Sequence, residues 1–129
     1  MTNHTEAGTM HIGELAEKTG LSLRTLRHYD EIGLVAASGR TEGGFRLYTD
    51  RDLSRLLLIR RMKPLRFSLE EMIELLRVID VMKSGDPDAS SSNVREQFDR
   101  FLADAVERRQ NLQEQLAMAD EFLDLLRRQ

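Results

Sequence analysis

Apolar and polar positions along the chain fall into short helical blocks followed by one long one. After a polar stretch at residues 1–9 with no periodicity, expected to be a disordered tail, Met10-His11-Ile12 reads as a brief extended segment. Gly13 can cap a first helix over Glu14–Lys18, which Thr19-Gly20 ends. Ser22 can cap a second over Leu23–Ile32, closed by Gly33. On that second helix Leu23, Leu26 and Ile32 can face a core while Arg24, Thr25 and His28 share the opposite side. Two short helices joined through a Gly-containing turn make the minimum helix-turn-helix.

The pattern then changes period. Gly43-Gly44 separates candidate strands Val35–Ala37 and Phe45–Tyr48, a small hairpin placed where a wing would follow a helix-turn-helix. Thr49 with Asp52, three residues on, forms a capping box opening a third helix, Asp50–Lys63, which Pro64 stops. Ser68 with Glu71 repeats the signature for a fourth helix, Leu69–Lys83, whose apolar face runs through Leu69, Met72, Ile73, Leu76 and Ile79. Residues 84–93, small and polar, read as a linker.

From Val94 to Arg128 there is neither Gly nor Pro. Phe98, Leu102, Ala105, Arg109, Leu112, Leu116, Ala119, Leu123 and Leu126 alternate at spacings of four and three, the seam of a coiled coil. Such a helix, on the order of 50 Å long, exceeds what the small N-terminal body can cover. Its stripe is expected to meet a second copy, with an intrachain hairpin against the fourth helix as the alternative. Arg109 in the seam needs an acid such as Glu107, Glu114 or one on the partner, and so can fix register.

Composition narrows the function classes. The chain is 129 residues with 40% hydrophobic and 5% aromatic content and no Trp, which suits a mainly α fold packed through Leu, Ile and Met. There is no cysteine, so disulfides, thiolate metal sites and Cys nucleophiles have no residue to form them. No apolar run approaches a membrane span and the N-terminus lacks signal-peptide order, giving the expectation of a cytoplasmic protein without a membrane partner. The net charge of −3 conceals an asymmetry: residues 1–67 carry 11 Lys/Arg against 8 Asp/Glu, the remainder 8 against 14. Positive charge therefore gathers where a polyanion would be met.

Arg24 is the leading candidate to read base edges from the second helix. Arg27 and Tyr29 can reach phosphates, and Arg40, Arg46 and Tyr48 can let the wing hold backbone or minor groove. Phe45 is evenly placed between DNA contact and the core of the hairpin, while Tyr48 is expected more on the DNA side than in the core. Arg60, Arg61, Lys63 and Arg66 form either a second phosphate-facing strip or a solvated face. Met62, Met72 and Met82 suit core better than ligand lining. Carboxylates such as Glu70-Glu71 and Asp86/Asp88 sit at caps and in the linker, with no adjacent His or Ser base pairing to define an enzyme site. His28 has no nearby second ligand for a metal.

Four segments, His11–Leu21, Ser22–Leu34 with its Leu-Arg-His-Tyr, Gly39–Thr49 with its Gly-Gly-Phe-Arg-Leu-Tyr, and Phe67–Met72, together resemble the MerR family of bacterial transcription regulators over roughly residues 10–83. The resemblance implies a winged helix-turn-helix domain over 10–83, a linker at 84–93, and an antiparallel dimerisation helix over 94–129. It places DNA contacts on Ser22, Arg24, Thr25, Arg27, His28, Tyr29, Arg40, Phe45, Arg46 and Tyr48. It further implies a homodimer on a pseudo-palindromic site in double-stranded DNA, which bends and untwists a promoter spacer and so brings it into alignment for RNA polymerase. No cofactor is implied, and the effector is left open.

Two departures stand out. Arg66 occupies a helix-ending position where many members have Gly, which would strain a left-handed residue there. The chain also ends at Gln129, just past the seam, and lacks the cysteines of metal sensors, so neither thiolate sensing nor an appended drug-sensing domain is expected. Two other readings stand beside a regulator: an architectural or excisionase-like DNA bender without an effector, and a coiled-coil module that binds protein.

Overall fold

The computed structural model describes residues 8–85 and 92–129, so the greater part of the expected tail and of the expected linker lies outside the described residues. The elements run β1 (Thr9–His11), α1 (Ile12–Thr19), α2 (Leu23–Glu31), β2 (Gly39–Arg40), β3 (Arg46–Thr49), α3 (Asp50–Met62), α4 (Leu69–Lys83) and α5 (Ser92–Arg127). They divide into two compact units that meet between Ile73 and Glu74, within α4.

In the first unit, helices α1 and α2 form the helix-turn-helix. The first helix begins at Ile12, not Glu14: His11, in extended conformation, is its N-cap, and Gly13 lies inside it. Its end is made by Gly20, left-handed at φ 73°, whose amide donates to the Ala16 carbonyl. Thr19, fully buried, donates from Oγ1 to the Leu15 carbonyl at 2.8 Å and accepts from the Leu21 amide at 3.2 Å, which satisfies the turn from within. Ser22 caps α2 by accepting from the Thr25 amide at 3.0 Å. Of the three apolar positions expected to face inward from α2, only Leu26 is buried; Leu23 and Ile32 are exposed.

The end of α2 redirects the chain. Gly33, at φ 77°, lets the Leu34 amide reach back to the Tyr29 carbonyl at 3.0 Å, and Leu34 and Val35 drop into the core. The expected strand Val35–Ala37 is therefore absent. The Val35 amide donates to the Tyr29 carbonyl and that of Ala37 to the Asp30 side chain, so this segment is satisfied by the helix end and not by a strand partner.

Pairing starts instead at β2, giving a three-stranded antiparallel sheet in the order β1-β3-β2. Arg40 lies opposite Arg46 across the wing, and Met10 opposite Tyr48 on the other side of β3. The capping box of α3 forms as its sequence requires, with the Asp52 amide donating to Thr49 Oγ1 at 3.2 Å and the Thr49 amide to Asp52 Oδ2 at 2.9 Å. The core gathers Leu15, Leu26, Tyr48, Leu56, Ile59 and Met62.

Between α3 and α4 the amides of Phe67 and Arg66 donate to the carbonyls of Met62 and Lys63, a Schellman closure. Arg66 is its left-handed residue, at φ 64°, the single non-glycine with positive φ among the described residues. The strain anticipated at this position is present. Ser68 and Glu71 then cap α4 reciprocally, the Ser68 amide donating to Glu71 Oε1 at 2.8 Å and the Glu71 amide to Ser68 Oγ at 3.1 Å.

In the second unit, Arg77 of α4 donates from Nη2 to Gln97 Oε1 of α5 at 2.9 Å while holding Glu74 at 2.7 Å through Nε. Helix α5 spans 36 residues, and beyond residue 108 every position is exposed in the single chain. No helix among the described residues is long and apolar enough to cross a membrane.

Candidate nucleic-acid interface

The solvent face of α2 is built from its cap onward. Ser22 Oγ both accepts the Thr25 amide and donates to Thr25 Oγ1 at 2.9 Å, so the two hydroxyls fix the first turn and each other. Arg24, Arg27 and His28 follow, all exposed and without an acidic partner among the described residues. Helical spacing sets Arg24 and His28 on one side and Arg27 beside it. An exposed cationic helix face of this kind can present donors to base edges and phosphates.

Tyr29, expected to reach phosphate, is 3% exposed, with the Lys63 ammonium 5.5 Å from its ring centre. Its ring is a packing element first. Arg61 and Lys63 are both exposed, as a solvated face would be, and Arg61 turns back onto the Leu57 carbonyl of its own helix at 3.1 Å. Met62 and Met72 are buried, as core residues.

The wing is tied to the end of α2 by Asp30, a residue that no motif in the sequence marks. Asp30 accepts from Arg46 Nε at 2.6 Å, from Arg40 Nη2 at 3.4 Å and from the Ala37 amide at 2.9 Å. Burial pushes the Asp30 carboxyl up, but the Arg46 hydrogen bond, the Ala37 amide and the charges of both arginines outweigh it and leave it below the usual carboxylate value. The same contact raises Arg46. Arg40 also donates from Nη1 to the Gly44 carbonyl at 2.9 Å, bracing the turn in which Gly44 adopts φ 85°. The role of Asp30 is hidden because its partners arrive only when the wing folds back; only the charge alternation of Asp30 with Arg40 and Arg46 hints at it.

Phe45 and Tyr48 divide in the sense opposite to the expectation, which set Tyr48 further from the core than Phe45. Phe45 stands 69% exposed at the wing tip, whereas Tyr48 is 0% exposed, its hydroxyl buried without a hydrogen-bond partner. Tyr48 cannot touch DNA from this position; β3 pairs on both sides and turns the ring into the core. Ser38, also unforeseen, donates to Asp52 Oδ2 at 2.6 Å and joins the wing base to the α3 cap. Among the described residues there is no cluster of three His, Asp or Glu side chains able to hold a metal ion.

Known proteins match this chain over the region that holds the two helices and the wing. A family profile described as the MerR HTH family regulatory protein covers residues 10–79. The chain belongs to the MerR family. It is 45% identical over 69 residues to the mercuric resistance operon regulatory protein of Bacillus cereus, covering 54% of this chain and 52% of that protein. With the HTH-type transcriptional regulator CueR of Salmonella typhimurium strain LT2 it shares 35% identity over 116 residues, 90% of this chain and 78% of the relative.

Among solved structures it resembles HiNmlR, a MerR family regulator lacking the sensor domain, bound to promoter DNA. The TM-score is 0.66 at 30% identity, over 92% of this chain and 84% of the other. The winged helix-turn-helix and long C-terminal helix of this MerR-family transcription regulator are thus shared with solved members of its family.

Proposed function

We propose that this MerR-family regulator works in the cytoplasm as an antiparallel homodimer on a pseudo-palindromic site in double-stranded promoter DNA. Each α2 enters a major groove, Arg24 reading bases, with Ser22, Thr25, Arg27 and His28 around it, while Arg40, Phe45 and Arg46 of the wing hold the adjoining backbone. The observation that carries this reading is the exposed cationic face of α2 continuous with a wing locked at Asp30. The solved relative bound to promoter DNA supports it.

Two-fold symmetry follows from the bare seam of α5, where Leu102, Leu112, Leu116, Leu123 and Leu126 all stand exposed in the single chain. Phe98 and Ala105 are half-buried, and Arg109 and Ala119 exposed. We assign residues 10–83 to DNA reading, 84–93 to linkage and 94–129 to dimerisation. The dimer bends and untwists the spacer between its half-sites and so controls RNA polymerase by shape. No catalytic role, cofactor or thiolate sensing is assigned to these residues.

Footprinting on the promoter region of its own gene tests this. Two protected half-sites flanking a hypersensitive centre are the expected result, and an undistorted centre removes the bending step. Transcription reconstituted from purified components separates a regulator from a plain architectural bender. DNA affinity that ignores salt would remove the DNA reading in favour of a protein-binding module.

A further inference from the structure

Leu23 is an apolar side chain left outside the core on a face otherwise rich in cations. It stands 40% exposed in the first turn of α2, next to Arg24 and one turn before Arg27, both exposed. The apolar pair that staples a helix start comes from the residue before the cap and the fourth after it. Here these are Leu21 and Leu26, half-buried and buried. Leu23 therefore belongs neither to the core nor to the staple.

The other side chains of that turn have less to offer a base edge. Ser22 Oγ donates to Thr25 Oγ1 at 2.9 Å while accepting the Thr25 amide at 3.0 Å, so its proton and a lone pair are committed. Thr25 is half-buried and Leu26 buried. Leu23 and Arg24 are what the turn presents outward, and the N-terminal turn of a recognition helix is the part that meets base edges. At about 100° per residue, Leu23 lies about 40° from Arg27 around the helix axis and about 100° from Arg24. It thus occupies the flank of the reading face on which Arg27 holds phosphate.

The major groove displays hydrogen-bonding groups on every base pair and one apolar group, the C5 methyl of thymine. A leucine set against a base amine or a phosphate covers a polar group and gives it no partner, which costs affinity. Its complementary surface in the groove is the methyl. We propose that Leu23 is a specificity residue that packs on a thymine C5 methyl in each half-site, beside the base pair read by Arg24. The proposal rests on the entry of α2 into the major groove stated above, and its test separates the two.

Deoxyuridine lacks the thymine methyl and keeps the same pairing, so it isolates this contact before the operator sequence is known. The promoter-region duplex of the protein's own gene is prepared with a small fraction of its thymines replaced by deoxyuridine. Bound and free fractions are separated and cleaved at uracil. With the wild type, uracil at a thymine in each half-site is expected to be depleted from the bound fraction, affinity falling about fourfold for each methyl lost. Leu23→Ala, which keeps a good helix former at an exposed position, is expected to bind the thymine duplex more weakly. It should show no depletion at those thymines while depletion at any others persists. Leu23→Met, apolar and of similar volume, is expected to retain it.

Depletion at the same thymines in wild type and Leu23→Ala overturns the methyl contact and leaves the DNA reading standing. So does the absence of any depletion in a wild type that protects its two half-sites. A wild type that protects no site on the thymine duplex overturns the DNA reading, and this contact with it.

Discussion

Arg46 donates from Nε to Oδ2 of Asp30 at 2.6 Å, binding the wing to the last turn of α2 through side chains only 22% and 12% exposed. An ion pair this shielded keeps much of its strength, and removing one partner strands the other. Asp30→Ala is expected to cost about 2 kcal/mol in unfolding free energy and to loosen the wing, seen as faster amide exchange at β2. The pair also gives a pH signature. Because the folded-state carboxyl is held below its unfolded value, its contribution is complete above about pH 4 and is lost as pH falls through the lower, folded value. Asp30→Asn should remove that component of acid sensitivity, measured as urea stability against pH.

Arg24 and Arg27 are both exposed on α2, yet they are expected to behave differently on DNA. A base-reading Arg24→Ala should lose about 1–3 kcal/mol for the preferred operator and little for random DNA, flattening specificity at one base pair in each half-site. Arg27→Ala should weaken all sequences alike and reduce the slope of log affinity against log salt by about 1 for each phosphate that Arg27 neutralises. Binding isotherms at several salt concentrations, on specific and scrambled duplexes, check both. Equal losses on the two duplexes for Arg24→Ala would remove its reading role.

Tyr48 holds a hydroxyl in the core with no partner, and burial pushes the phenol up, so it stays neutral. Deleting the hydroxyl removes an unpaired polar group without opening a cavity. Tyr48→Phe is expected to be stabilising by about 1 kcal/mol in thermal unfolding and to leave DNA affinity unchanged. A loss of affinity in this variant would restore Tyr48 to the interface.

The sequence announces what depends on neighbours three or four residues away. Ser22, the Thr49–Asp52 box and the Ser68–Glu71 box each satisfy amides within their own turn, and α4 runs over the residues its pattern predicts. What it conceals depends on return contacts. Val35–Ala37 looks like strand, but its amides are taken by Tyr29 and Asp30 at the end of α2. Tyr48 is drawn inward because β1, only three residues long and without a readable alternation, pairs Met10 against it. Asp30 gains its meaning only once Arg40 and Arg46 come back across the wing. The arginine face of α2 was legible; how the wing is fastened to it was not.

Arg66 isolates a backbone effect from side-chain contacts. Its φ of 64° closes the α3 end while the amides of Phe67 and Arg66 complete the Schellman bonds, so the conformation is required although its residue resists it. A residue with a Cβ is destabilised by about 1–2 kcal/mol in this region, and glycine is not. Glycine also gives the unfolded chain more freedom, which offsets part of the gain. Arg66→Gly is therefore expected to raise stability by about 0.5–1 kcal/mol. Arg66→Ala, which removes the same charge and side chain but keeps the Cβ, should give no such gain. Self-association contributes to apparent stability, so both variants are compared in thermal unfolding at one protein concentration. If alanine stabilises as much as glycine, the benefit comes from losing the guanidinium, and the backbone explanation fails.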